Sequence, residues 1–321
     1  MWLRNVRGVP AVGSRAYERD MHEELDHYSE LLKDSTTMLE PAPAIWNAVL
    51  DKAAARIEER TGADLLTHVV TQLKRSESPR MLSLGCGAAG IETMIARLVP
   101  EAEIHCVDVN ATLLQRTEEQ AGMEGLKMFF KPMDLNSARL DSGPFDVVFC
   151  HASLHHLSEL EHVIGEIKRC LCESGRLIAI DVITRNGYQM FPQTRNIARP
   201  LFAALPPAYR VNHTAYARKL VDDRLYDPPP TMTGMECRRS EDILPLLREH
   251  FTEHAFVPYF SLCRRFFDSM YGLNYDLNRS LDRAILDWIW ELDCDYLERG
   301  ILLPETFFGI FSPKCAADKN E

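Results

Sequence analysis

Arg80-Met81-Leu82-Ser83-Leu84-Gly85-Cys86-Gly87-Ala88-Ala89-Gly90-Ile91-Glu92 joins a short apolar strand to a glycine turn and then to a helix. Glycines at 85 and 87 let the backbone approach a ligand where any Cβ would collide. The helix starting near Ala89 offers unpaired backbone N–H groups to that ligand. Such a turn suits a nucleotide-like molecule without naming it. Gly85, Gly87 and Gly90 also meet the Gly-x-Gly-x-x-Gly spacing of dinucleotide enzymes, so the flanking segments must discriminate.

Outward from the turn, residues 103–108 read as a second buried strand ending in a carboxylate. Asp108 stands where a doubly wound sheet places its ribose-binding acid, which makes it a candidate bidentate acceptor for two hydroxyls. Residues 126–134 read as a third strand ending in Asp134, and residues 145–150 as a fourth. His151-Ala152-Ser153-Leu154-His155-His156-Leu157 follows. Residues 175–181 form a fifth strand after a Glu173-Ser174-Gly175 turn. Helical stripes alternate with these strands: Ile91, Met94, Ile95 and Leu98; Leu113 and Leu114 after Asn110; Val163, Ile164, Ile167 and Leu171 after a Ser158-x-x-Glu161 capping box. The alternation predicts an α/β fold with a mostly parallel sheet.

In order and spacing, residues 80–182 resemble the class I S-adenosylmethionine (SAM) dependent methyltransferases, and specifically their small-molecule branch. The resemblance implies a doubly wound, mostly parallel, seven-stranded Rossmann-like sheet closed by an antiparallel strand. It implies that the turn at Gly85 and Gly87 holds the methionine part of SAM, Asp108 the ribose and Asp134 the adenine amine. Around these it places Ser83 and Cys86, Val109, Met133 and Leu135, and finally Cys150 and His151. Two departures stand out: the acid common on the first strand is Ser83 here, and the third glycine falls at Ala89, with Gly90 one place late. An NAD(P) enzyme would leave the acid at 134 and the Leu-His-His-Leu segment unexplained. A SAM-binding protein without chemistry, regulatory or scaffolding, stays open as the alternative to an enzyme producing S-adenosylhomocysteine (SAH).

The 321 residues, 46% hydrophobic and 26% charged, divide into an amino-terminal helical cap (1–78), the SAM-binding core (79–183), a substrate-covering insertion (184–238) and a carboxy-terminal completion of the sheet carrying a helical insertion (239–321). Apolar residues at helical spacing mark helices at 15–33, after Pro43 and after Thr61. Tyr17, His22, His27 and Tyr28 are candidates for a lid over the crevice, with Tyr28 a substrate contact. A helix at 240–251, a strand at 255–261, helices at 264–271 and 278–299 and a last strand at 306–311 complete the chain.

A net charge of −11 argues against sequence-independent binding to nucleic acid or an anionic membrane. Nine cysteines lack paired zinc spacing, and the histidines do not fall with acids as metal motifs require, so no metal is expected. No apolar stretch approaches the ~20 residues needed to span a bilayer. The amino terminus has no signal-peptide core, and a cytoplasmic location is expected. Oligomeric state is not legible.

From Arg185 to Leu220 there is no acid, while Arg185, Arg195, Arg199, Arg210, Arg218 and Lys219 mix with Tyr188 and other aromatics. Arginine grips carboxylate and phosphate bidentately, so Tyr188, Arg195, Arg199 and His213 are candidate contacts to an anionic small molecule. The same patch suits docking of an acidic carrier protein. Methyl transfer is an in-line displacement that mainly needs a positioned acceptor, plus a base if the acceptor is protonated. His151 and His155 are the candidate catalytic residues, His151 first because it directly follows the strand. Those arginines could equally pair with acids elsewhere, and the histidines could serve only as helix-entry residues.

Overall fold

Seven strands form one sheet in the order β3-β2-β1-β4-β5-β7-β6. They are β1 (Arg80–Leu84), β2 (Glu103–Asp108), β3 (Met128–Pro132), β4 (Phe145–His151), β5 (Leu171–Val182), β6 (Phe251–Tyr259) and β7 (Thr306–Pro313). The five strands β1 to β5 pair in parallel, and β7 runs antiparallel between β5 and β6. The computed structural model describes residues 9–33, 42–140, 143–214, 219–228 and 234–314, and for residues 27–33 the backbone alone.

Alternation along the strands builds two cores. Met81, Ile104, Cys106, Val147, Phe149 and Ile178 face one side, with α2 (Ala44–Thr61), α3 (Leu65–Leu73) and α4 (Gly90–Leu98). Leu82, Leu84, Val107, Val148, Leu177 and Ala179 face the other, with α6 (Leu160–Cys170) and α8 (Ser240–His250). Both faces are covered, as a parallel sheet requires. The remaining helices are α1 (Arg15–Lys33), α5 (Ala111–Glu124), α7 (Pro192–Ala204), α9 (Cys263–Phe267) and α10 (Ser280–Glu298). No helix among the described residues is long and apolar enough to cross a membrane.

Three expectations change. The amino-terminal helices do not form one cap: α2 packs on β6, α9 and α10, and α3 on β4, β5 and α4, which leaves α1 over the crevice. The Ser158-x-x-Glu161 capping box does not form, because two Arg239 N–H groups hold the Glu161 carboxylate at 2.6 and 2.8 Å and Glu159 is the N-cap residue. The Glu173-Ser174-Gly175 turn survives only as a bulge inside β5, where the register jumps from Phe145 opposite Leu171 to Val147 opposite Arg176.

Candidate functional site

At the carboxyl ends of the parallel strands lies a cavity of about 460 Å³, within the usual range for small-molecule sites. Gly85, Cys86, Gly87, Asp108, Val109, Met133, Asp134, Leu135 and His151 line it. Both glycines are left-handed, at φ +65° and +54°, for different reasons. A Cβ on Gly85 would lie 2.6 Å from Cβ of Ser153, whereas one on Gly87 would meet nothing within 4 Å. Gly85 lets the loop after β4 close in, and Gly87 keeps the turn clear. The Asp108 carboxylate accepts from the backbone N–H of Gly87 at 2.9 Å and of Asn110 at 2.8 Å. An ionised carboxylate has about four lone-pair sites, so each oxygen retains capacity for a ligand hydroxyl.

Ser83 and Cys150 do not reach the cavity wall. Strand alternation turns Ser83 toward α4, where its hydroxyl donates to buried Glu92 at 2.6 Å. Glu92 is itself buried, and burial raises its pKa. Cys150 points into the core beneath α6 and α8, fully buried.

Helix α1 closes one side of the cavity with Met21, Glu24 and Leu25. Three polar ties hold it there. Tyr17 donates its hydroxyl to Asp134 at 2.9 Å and accepts from Asn136 at 2.8 Å. Arg238 pairs with Asp20. His156 Nδ1 lies 2.9 Å from Glu24. The carboxylate expected to meet an adenine amine is therefore engaged by the lid. His22 is exposed beside Asp26, and the side chains of His27 and Tyr28 lie outside the described residues.

Asp181, at the end of β5 and fully buried, organises the segment after β4. Its carboxylate accepts from the backbone N–H of Ser153, Leu154 and Val182 at 2.7–3.0 Å and lies 2.6 Å from His155 Nδ1. Burial opposes its charge, but His155 and these N–H groups win and hold the carboxyl below its ordinary range. An ionised carboxylate only accepts, so Nδ1 of His155 donates to Asp181 and Nε2 is the nitrogen turned toward the loop at Glu236, 3.6 Å away. His155 lines a second cavity of about 330 Å³ with Ala152, Val182, Tyr188, Glu236 and Arg264. Ala152 lines both cavities, and consecutive Met235 and Glu236 line one each, so the two abut.

His151 instead faces the first cavity, stacked beside Phe149 with ring centroids 6.2 Å apart. Desolvation pushes its pKa down, against the charge of Asp181. The structure also gathers His155, Glu236 and Cys237, with potential ligand atoms within 4.8 Å of one another. Burial pushes the Cys237 thiol well above its ordinary pKa, and the thiol donates to Glu236 Oε1 at 3.4 Å.

The described arginines of the acid-free stretch line neither cavity and pair with acids from elsewhere. Arg185 meets Glu241 at 3.7 Å, Arg195 and Arg199 meet Asp227 at 2.7 and 3.9 Å, and Arg210 meets Asp223 at 3.9 Å. His213 Nε2 sits 2.7 Å from Asn274 and lines neither cavity. Of the candidate substrate contacts with described side chains, Tyr188 alone lines one. Asp181 carried a signal, an acid ending an apolar strand; Glu236 and Ala152 carried none.

Residues 82–179 match the family described as methyltransferase domain. A sterol 4-C-methyltransferase, strm-1, of Caenorhabditis elegans is 27% identical over 177 residues, covering 54% of this chain and 52% of that one. A malonyl-[acyl-carrier protein] O-methyltransferase of Legionella pneumophila subsp. pneumophila is 27% identical over 124 residues, covering 39% and 43%. The chain spans about half or less of the length of the curated relatives it matches. Among solved structures, the [4+2]-cyclase SpnF aligns over 84% of each chain at 18% identity and a TM-score of 0.46.

Proposed function

We propose that the chain, whose residues 82–179 match the methyltransferase-domain family, is a SAM-dependent methyltransferase acting on a protonated, hydroxyl-type group of a small molecule. The observation that carries the reading is the pair of abutting cavities with the His155–Asp181 dyad on the wall of the second. The first cavity fits the cofactor on its own geometry. Gly87 leaves an open cradle that a Cβ would enter, and Asp108 keeps lone pairs beyond its two backbone bonds.

When bound, SAM supplies a methyl carbon already activated by its sulfonium. The chain's part is to hold the acceptor in line and remove its proton. Nε2 of His155 takes that proton while Asp181 fixes the ring and stabilises the resulting imidazolium, as the orienting acid does in a hydrolase triad. His151 shapes the cofactor side instead. Helix α1 and the segment at Met235 cover the site and exclude water.

An acidic carrier protein bearing the acceptor is the second reading, favoured by the malonyl-[acyl-carrier protein] methyltransferases among the relatives. Pairing of Arg185, Arg195, Arg199 and Arg210 within the chain supports the free small molecule first. The test is calorimetric titration with SAM and SAH, followed by measurement of SAH released on a panel of hydroxyl-bearing acceptors, free and carrier-linked. Tight SAH binding and SAH release are expected. Binding without turnover on any acceptor favours a non-catalytic SAM-binding protein, and binding of NAD(P) in place of SAH overturns the cofactor assignment.

A further inference from the structure

Arg264 and Arg265 are neighbours on α9, yet only one has an acid. Arg265 donates from Nε to buried Glu305 at 2.8 Å and from Nη1 to the Tyr188 carbonyl at 3.2 Å. Arg264 donates to the Tyr188 hydroxyl at 2.9 Å and to the Thr306 hydroxyl at 3.0 Å. No carboxylate lies within 4.0 Å of it among the described residues, and its buried Nε has no hydrogen-bond partner. A guanidinium has five N–H donors, so three remain unused. The group sits between aromatic faces, its central carbon 5.7, 5.8 and 5.7 Å from the ring centres of Trp46, Tyr188 and Phe260, and it lines the second cavity.

A desolvated cation without a counter-ion is unfavourable unless something else compensates it. Cation–π contacts and the more distant carboxylates of Glu305 and Asp268 do so partly. Tyr188 is itself held at φ +60°, a left-handed conformation costly for a residue with a Cβ, and from there it braces both arginines. The cavity has two unlike ends. Glu236, the carboxylate among its lining residues, lies 3.6 Å from His155 Nε2, so it belongs to the His155 end and makes no contact with the guanidinium.

We propose that Arg264 is the anion-recognising residue of the acceptor cavity, and that the acceptor carries an oxyanion, carboxylate or phosphate, which Arg264 holds while the reacting group lies at His155. The second half rests on the methyl-transfer reading; the first does not. Binding of an anion supplies a counter-charge in direct contact and acceptors for the unused Nη N–H groups. Tyr188 and Thr306 keep the fork in plane, which makes them positioning residues.

The probes are benzoate, phenyl phosphate and the neutral isostere benzamide, titrated against the full chain with and without SAH. Either anion should bind at least ~10-fold more tightly than benzamide, a difference of about 1.4 kcal/mol. Arg264→Gln should erase that preference with SAH affinity unchanged, and Arg264→Lys should retain part of it because the charge remains but the fork does not. Benzoate and phenyl phosphate separate the two oxyanion sources. Equal binding of anions and benzamide, a preference that survives in Arg264→Gln, or no anion binding up to ~10 mM overturns the proposal. Should Arg264→Gln fail to fold, Tyr188→Phe serves instead, with a weakened preference expected and an unchanged one counting against the proposal. Loss of SAH binding with the anion preference intact would sink the methyl-transfer reading alone.

Discussion

His155 Nδ1 lies 2.6 Å from an Asp181 carboxylate that also accepts four backbone N–H groups, those of Ser153, Leu154, His155 and Val182. One side chain thus ties the turn after β4 to the end of β5 and dictates which imidazole nitrogen faces the second cavity. His155→Ala should lower kcat by ~10²–10⁴ with the Kd for SAH unchanged. Asp181→Asn, which sets an amide N–H₂ against those donors, should in addition destabilise the fold by about 1–3 kcal/mol. His151→Ala should weaken SAH binding and spare the chemical step. Single-turnover rates at saturating SAM, with denaturation curves, separate the three.

The two glycines of the turn should respond differently. Gly85→Ala drives a Cβ to 2.6 Å from Cβ of Ser153 at φ +65° and should destabilise by about 1–3 kcal/mol through overpacking. Gly87→Ala meets no neighbour within 4 Å, so its stability loss should be the left-handed strain alone, about 1–2 kcal/mol, while its methyl enters the cavity and weakens SAH. Thermal melts and titrations of both variants check this, and equal loss of binding and stability in the two would contradict it.

Asp108→Ala should weaken SAM by two to four powers of ten, since two hydrogen bonds to a charged group contribute ~1.5–3 kcal/mol each. It also strands the N–H groups of Gly87 and Asn110. Asp108→Asn, which retains one acceptor oxygen, should fall between. Wild-type affinity in a folded Asp108→Ala would remove the ribose assignment.

The lid should be pH-sensitive. Desolvation opposes the charge of His156, but Glu24 on α1 and then Glu236 outweigh it, raising the pKa above its ordinary 6.5. A raised folded-state pKa means that the contribution is fully present below about 6.5 and is lost as pH rises through the higher folded value. Amide exchange in residues 15–26, corrected for its intrinsic pH dependence, should therefore quicken across that window, and Glu24→Gln should flatten the dependence. Tyr17→Phe, lacking the hydroxyl that reaches Asp134, should quicken exchange at every pH.

Much of the core was legible because its determinants are local. Apolar runs bounded by glycine turns and terminal acids mark β1, β2 and β4 to within a residue or so, and helical spacing marks α1 to α6, since both periodicities are written within ten or so consecutive residues. Asn110, which precedes the stripe at Leu113 and Leu114, caps that helix by accepting from Leu113 N–H at 3.0 Å. Ser158-x-x-Glu161 had the local form of a cap and lost it to Arg239, 78 positions further on.

The sequence by itself determined the strand–turn–helix rhythm and put Gly87, Asp108 and Asp134 at the carboxyl edge of the sheet. Only the tertiary structure decided which groups face each other there. Tyr17 meets Asp134 across 117 positions, His155 meets Asp181 across 26, and Arg195 turns from the crevice to Asp227, 32 positions on. Arg264, read as one residue of a helix, became the cation of the second cavity with no carboxylate in contact only once α9 had packed it between Trp46, Tyr188 and Phe260. Charge counts along the chain cannot make that distinction, because a side chain's electrostatic role is set by the few ångströms around it, and those are filled by strand order and by insertions remote in sequence.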